Sequence, residues 1–230
     1  MDHPTCYEDG LNAERNGDFK KALRLFQESL SKESPDEGDV YFHFGWCLEQ
    51  DKDGDSGQAL HFYQKASSLA RSSICRINSC FRAGWILMHA KEYQRAAAMY
   101  KSAIDLGEQT GNKAEIYPHA AYWYAVCLES QGRYLDALDW YRHVRTLSDQ
   151  LDPECRLREI ICLNQVGSYE TALQVSLTFE NPRPAGFDLR RYEELRAVAM
   201  REREMLQACL SVDFRPERPP NLHDDRRRRT

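Results

Sequence analysis

Residues 79–104, SCFRAGWILMHAKEYQRAAAMYKSAI, have the pattern of two helices folded back on each other. Small and apolar residues recur at helical spacing on both sides of a short polar break at residues 89–92. Gly84 in the first segment precedes Ala96 in the second by twelve residues. Because two helices approach closely only where the side chains at their crossing are small, we expect a helical hairpin that crosses near these two residues.

The same unit occurs five times. A crossing position in each first helix precedes an alanine in the second helix, in the pairs Gly10 with Ala22, Gly45 with Ala59, Gly84 with Ala96, Ala125 with Ala137, and Ile160 with Ala172. Four pairs are twelve residues apart, and the sequence DKDGDSG at residues 51–57 lengthens the second to fourteen. A unit repeated at this period predicts a solenoid of stacked hairpins. The fifth unit has Ile160 where a small residue belongs and Ser176 where an aromatic belongs, which predicts looser stacking or a capping role.

These residues resemble the tetratricopeptide repeat family, whose pattern is W-x2-L-G-x2-Y and then A-x3-F in a unit of 34 residues. The matching residues are Cys80, Ala83, Gly84, Leu87, Ala96 and Tyr100 in the third unit, Tyr41, Phe44, Gly45, Leu48, Ala59 and Tyr63 in the second, Ala121, Tyr124, Ala125, Leu128, Ala137 and Tyr141 in the fourth, and Gly10, Ala13, Ala22 and Phe26 in the first. The resemblance implies an all-α, right-handed α-solenoid whose first helices line the concave side. It covers roughly residues 4–180.

We expect the repeat domain to occupy residues 1–180, with repeats at about 4–35, 39–70, 77–108, 118–149 and 153–180. A proline-rich break follows at 181–187, since NPRPAG interrupts the helical pattern. Asp188 is expected to cap a closing helix over 188–210, with an apolar face of Leu189, Tyr192, Leu195, Ala199, Leu206 and Cys209. Residues 211–230 contain three prolines and few apolar residues, which is typical of a disordered tail.

Composition restricts the class of protein. The chain has 230 residues, 42% of them hydrophobic, which is enough for a core, and shows neither a signal-peptide pattern nor eighteen consecutive apolar residues. We therefore expect a cytoplasmic protein with its eight cysteines reduced. A net charge of −5 argues against a nucleic-acid binder. The run Arg226, Arg227, Arg228 and Arg229 has the composition of a nuclear-import signal or a nucleic-acid contact, but a solvated tail explains it more simply.

The resemblance directs attention to a stripe on the first helices beside the packing stripe. It predicts a partner-binding groove formed by Tyr7, Leu11, Phe42, Trp46, Phe81, Trp85, Tyr122 and Val126. Aromatic anchors dominate interface energies, so the groove is expected to take an amphipathic helix or an extended peptide. The alternative is that these rings fill a tight superhelix or are covered by the closing helix. The family's Lys, Asn and Arg clamp for chaperone carboxylates is not expected, because only Asn78, Arg82 and Arg158 lie nearby.

Other polar residues yield no catalytic or metal-site hypothesis. Glu14, Glu49 and Glu129 lie one turn further along the stripe, where they would favour a basic edge on a partner or be merely solvated. The cysteines at equivalent places in three units, Cys47, Cys127 and Cys162, lack the spacing of metal ligands and are expected to pack as small residues. The loop that begins with DKDGDSG has neither the glycine at the sixth position nor the glutamate at the twelfth position of a calcium-binding loop, so we expect a solvated turn.

No nucleophile elbow, zinc-binding HExxH, P-loop or dinucleotide-binding motif occurs, so neither a cofactor nor a metal is expected. The leading hypothesis is a non-catalytic scaffold that holds a segment of a partner protein. A self-associating structural protein, in which one solenoid stacks on another as a homo-oligomer, is the first alternative. The regulatory subunit of an enzyme complex is the second.

Overall fold

The computed structural model describes residues 5–32, 36–111, 116–181 and 183–211, and the regular structure in these ranges is entirely helical. The predicted tail lies outside the described residues except for Ser211. The helices are α1 Cys6–Arg15, α2 Phe19–Lys32, α3 Glu37–Gln50, α4 Ser56–Leu69, α5 Ser73–His89, α6 Tyr93–Thr110, α7 Ile116–Ser130, α8 Tyr134–Leu147, α9 Asp152–Gln165, α10 Tyr169–Leu177 and α11 Leu189–Ser211, with a short 3-10 turn at Thr178–Glu180. No helix in these ranges combines the length and apolar composition that spanning a membrane requires.

The helices pair in chain order into five hairpins. Each first helix packs on the second helix of its own hairpin, and each second helix packs on the first helix of the next. Short turns support this arrangement: Asp18, for example, bonds back to the carbonyl of Ala13, and Gly17 adopts a positive φ of 76°. The chain is therefore an all-α solenoid built from nearest-neighbour contacts.

The predicted crossing positions are buried. The side chain packed against each crossing glycine, however, is not the alanine paired with it in the sequence. A Cβ on Gly10 would lie 2.6 Å from the ring of Phe26, and a Cβ on Gly84 would lie 2.9 Å from the ring of Tyr100. Gly45 faces the ring of Tyr63 in the same way. The glycine makes room for the aromatic residue four positions after the alanine, so the hairpin is specified by a small residue opposite a ring.

The fifth hairpin has the reverse order of sizes at the two crossing positions. Ile160 is fully buried and Ser176 is 3% exposed, and the Ser176 hydroxyl donates to the carbonyl of Leu173 at 2.7 Å. At the positions where the other units have a small residue and a ring, this unit thus has a large buried residue in the first helix and a small buried one in the second. The crossing of the fifth hairpin is therefore buried although its two residues differ in size from those of the other units.

The closing helix α11 packs chiefly on α9 and α10, as the first helix of a sixth hairpin would. Its first turn is capped by Asp188, whose carboxylate accepts from the Arg191 N–H at 2.8 Å. Its buried stripe comprises Tyr192, Leu195, Ala199 and Leu206. The prediction that Leu189 belongs to this stripe is wrong, because Leu189 is 59% exposed and packing begins only at Tyr192.

Burial of the equivalent cysteines makes alkaline stability testable. Cys47, Cys127 and Cys162 are fully buried, and burial raises the pKa of each thiol to about 12. An unfolded thiol has a pKa near ~8.5, so above that pH the unfolded chain releases protons that the folded chain retains. We expect the free energy of unfolding to fall between pH 8 and pH 10, by on the order of 1 kcal/mol per thiol. Urea titrations under reducing conditions measure this fall. The triple variant C47A/C127A/C162A should show a shallower decline, and an equal decline would contradict the assignment.

Candidate functional site

The first helices form one continuous face of the solenoid. α3 contacts α5 and α5 contacts α7, more extensively than any two successive second helices in the described chain contact each other. Closer spacing is found on the inside of a curved stack, so the surface of α1, α3, α5, α7 and α9 is called the inner face below. All eight residues of the predicted groove belong to these helices.

Half of the predicted groove residues pack within their own hairpins. In the first four hairpins, a ring stands three positions before the crossing position and contacts the aromatic residue of the second helix, with centroid distances of 5.7–6.0 Å. The pairs are Tyr7 with Phe26, Phe42 with Tyr63, Phe81 with Tyr100, and Tyr122 with Tyr141. Tyr122 is only 8% exposed, whereas the other three first-helix rings are half-buried. These rings therefore contribute to the repeat packing as well as to the inner face.

The other four groove residues, each one position after a crossing position, differ in how far they are exposed. Val126 is 9% exposed, and Leu11 packs against the core of the first hairpins. The two tryptophans remain half-buried. The guanidinium of Arg82 lies 5.1 Å from the ring of Trp46, while Trp85 contacts the ring of Trp123 edge to face at 5.2 Å. The tryptophans are thus the aromatic residues of this set, and both remain partly exposed.

A ladder of polar contacts links successive first helices on this face. We define a rung by two positions, the fourth residue after one crossing position and the second residue before the next. In the second rung Arg82 Nε donates to Glu49 at 3.0 Å, and in the fourth Arg158 Nη1 donates to Glu129 at 2.9 Å. Only 14% and 13% of these two glutamate side chains are exposed. Each rung therefore adds a polar contact between the first helices of two successive hairpins.

A tyrosine hydroxyl from the second helix completes these two rungs. The Tyr63 hydroxyl donates to Glu49 at 2.8 Å, and the Tyr141 hydroxyl donates to Glu129 at 2.6 Å. Burial and, after it, the charge of the neighbouring glutamate raise the pKa of both phenols, which keeps them protonated as donors. Each carboxylate is therefore satisfied by its own chain. The expectation that these glutamates face a basic edge of a partner is not supported by this geometry.

The first rung uses different groups at the same positions. Glu14 pairs with Nδ1 of His43 at 2.8 Å, and the Cys47 thiol lies 3.8 Å from the same carboxylate. Beyond the fifth hairpin, the side-chain amide of Asn164 donates to Glu202 of α11 at 3.1 Å. The polar ladder thus runs from the first hairpin to the closing helix, with one interruption.

The interruption is the third rung, where both positions are apolar. Met88 stands in the glutamate position and Trp123 in the arginine position, and both are partly buried against the core. The Tyr100 hydroxyl, which corresponds to those of Tyr63 and Tyr141, is buried without a hydrogen-bond partner. Burial raises the pKa of Tyr100. We did not predict this feature from the sequence. Its signal there is the methionine at residue 88, where the equivalent positions of three other units, residues 14, 49 and 129, are glutamates.

No cluster of three or more His, Cys, Asp or Glu side chains placed to hold a metal ion occurs within the described ranges. The aspartates of the turn at residues 51–57 have other roles. Asp51 accepts from the Asp53 N–H, Asp53 pairs with Lys20 at 3.0 Å, and Asp55 caps α4 by accepting from Gly57 at 2.7 Å. The turn is thereby anchored to its own helix and to α2.

Comparison with known proteins shows which proteins share this helical-repeat architecture. The tetratricopeptide repeat profile matches residues 7–69 and 81–152. Photosystem I assembly protein Ycf3 of Cyanophora paradoxa is 24% identical over 136 residues, which cover 59% of this chain and 72% of that protein. A crystal structure of MamA protein superposes with a TM-score of 0.60 at 18% identity, covering 92% of this chain and 97% of that one. Tetratricopeptide-like repeats of a putative kinesin light chain from Podosopora anserina superpose with a TM-score of 0.56 at 12% identity, covering 87% and 98%. The chain belongs to the tetratricopeptide repeat family.

Proposed function

We propose that the chain is a non-catalytic scaffold that binds a segment of a partner protein on its inner face, centred on the third rung. The observation that carries the proposal is the change from ion pairs to apolar side chains at this rung. Trp85, Trp123 and Met88 form a partly exposed apolar area between two rungs whose charges are neutralised internally. Burying apolar area of this kind against a partner is the main source of binding energy.

The arrangement of the rings supports this role. Trp85 is held edge to face by Trp123 and lies 4.4 Å from the ring of His89, and Trp123 in turn contacts Tyr122 at 5.1 Å. A surface preorganised by such contacts loses little side-chain entropy when a partner binds. Either an amphipathic helix or an extended peptide can place an apolar side chain on it.

A scaffold role also agrees with the state of the buried charges. Glu159, only 2% exposed, accepts from Arg145 at 2.9 Å, and Arg156 pairs with Asp152 and donates to the Thr178 carbonyl at 3.1 Å. These groups link α9 to α8 and to the 3-10 turn that follows α10. The cytoplasm remains the compartment that we propose for this scaffold, on the sequence pattern alone.

We test the proposal with the double variant W85A/W123A. Peptides are selected on the full-length chain from a 12-residue random library displayed on phage, and the affinity of synthetic copies is measured by fluorescence anisotropy. The double variant is expected to bind them about thirtyfold more weakly, because interface tryptophans are commonly anchors worth ~2 kcal/mol or more.

The matched control is Trp140→Ala, since Trp140 lies in α8 and packs on Tyr124 at 5.0 Å, away from the inner face. It should leave affinity unchanged, and circular dichroism should show that both variants remain folded. Unchanged affinity in W85A/W123A, or an equal loss in Trp140→Ala, would contradict binding at the third rung.

A further inference from the structure

Tyr100 is a buried hydrogen-bond donor without an acceptor. Its side chain is fully buried, and its hydroxyl has no partner within the described chain. Most buried polar side-chain atoms in folded proteins have a partner, and leaving one unpaired costs about 1–3 kcal/mol. A solenoid that keeps a tyrosine here, where phenylalanine fits in the first hairpin as Phe26, retains a donor that the free protein does not use.

The two equivalent hydroxyls show where the missing acceptor belongs. Tyr63 and Tyr141 both reach a carboxylate at the first position of their rung, at 2.8 and 2.6 Å. In the third rung that position carries Met88, whose side chain accepts hydrogen bonds only weakly. The third rung therefore has the donor but not the acceptor. Methionine is unbranched and has three rotatable bonds, so it can move aside for an incoming group.

The surroundings define the chemistry of that group. A carboxylate at the third rung would lack the cation that Arg82 and Arg158 supply at the second and fourth, because Trp123 stands in that position. Arg82 itself is already paired with Glu49. Burying an unpaired charge costs far more than burying an uncharged amide that accepts one hydrogen bond. An uncharged acceptor is therefore favoured over an acidic one.

We propose that a bound peptide completes the third rung: the side-chain amide carbonyl of an Asn or Gln accepts from the Tyr100 hydroxyl, while a neighbouring apolar residue of the same peptide packs on Trp85 and Trp123. This inference rests on the proposed function, since it requires a peptide on the inner face. It adds a specificity rule, which is that the segment combines an amide side chain with an apolar one and is not acidic at that place.

The decisive variant is Tyr100→Phe in the full-length chain, with the phage-selected 12-residue peptides as the probe. Removing an unpaired hydroxyl should leave the melting temperature of the free protein unchanged or raise it. The same change should weaken binding of the peptides about five- to tenfold, because a hydrogen bond made only in the complex is lost. Opposite signs for stability and affinity would not arise from a purely structural residue.

Tyr141→Phe is the matched control. Its hydroxyl is already bonded to Glu129, so this variant should lower the melting temperature and leave peptide affinity unchanged. On the peptide side, the selected sequences should contain Asn or Gln, and replacing that residue by Glu or Leu should weaken binding to the wild type but make little difference to Tyr100→Phe.

Three results would overturn the inference: unchanged affinity in Tyr100→Phe, a loss of stability in free Tyr100→Phe equal to that in Tyr141→Phe, or selection of peptides that require an acidic residue. If W85A/W123A loses binding while Tyr100→Phe keeps it, the hydrogen bond is refuted and the scaffold proposal stands. If neither variant affects binding, or if the library gives no binder, both proposals fail.

Discussion

Replacing Glu129 by alanine is expected to lower the free energy of unfolding by about 3 kcal/mol. The change removes the partner of Arg158 and the acceptor of the Tyr141 hydroxyl together, and the glutamate side chain is only 13% exposed. A buried hydroxyl is left unpaired and a partly buried guanidinium loses its counter-charge. The fourth rung joins α7 to α9, so the loss acts on the contact between two hairpins.

Urea unfolding followed by circular dichroism measures this loss, with Lys101→Ala as the control. Lys101 forms an ion pair with Asp105 in which both side chains are 43% exposed, so its removal should change stability by less than about 0.5 kcal/mol. The variant E129M/R158W, which copies the third rung, should cost less than Glu129→Ala because it leaves no unpaired charge. If Glu129→Ala and Lys101→Ala have equal effects, the rungs do not stabilise the stack.

Gly38→Ala is expected to destabilise the protein by about 3 kcal/mol. A Cβ at this position would lie 2.0 Å from the backbone nitrogen of Ala70 and 2.1 Å from its Cα, so the end of α4 would have to move away from α3. The same movement would strain the Asp36 carboxylate, which accepts from the Gly38 N–H at 3.0 Å and from the Arg71 N–H at 2.9 Å.

The control for this change is Gly57→Ala, also in the first turn of a helix. There a Cβ would meet only a carboxylate oxygen of Asp55, at 3.1 Å, and the position is exposed. Alanine has the higher helix propensity, so Gly57→Ala should be neutral or slightly stabilising. Urea titration of both variants distinguishes close packing from propensity. Equal midpoints for Gly38→Ala and the wild type would show that the two helix ends can separate without cost.

The sequence by itself determined the hairpins, because their signal is local. The repeat of a small residue, a turn and an alanine followed by a ring places five pairs of helices, and the match to the tetratricopeptide repeat profile confirms the family. The spacing of Gly84 and Tyr100 is enough to predict that two helices meet. It does not show that the glycine accommodates the ring, because which side chains touch depends on the crossing geometry.

Only the tertiary structure decided which residues of the inner face are available. The glutamates at residues 49 and 129 look solvated in the sequence, yet each accepts from an arginine of the next hairpin, 33 and 29 residues away. Tyr122 and Val126 belong to the same sequence stripe as Trp46 and Trp85 but are buried. Helical periodicity fixes the direction of a side chain around its own axis, whereas its partners depend on how successive hairpins are rotated and stacked. For that reason only the tertiary contacts of the rungs show that the Tyr100 hydroxyl is unpaired.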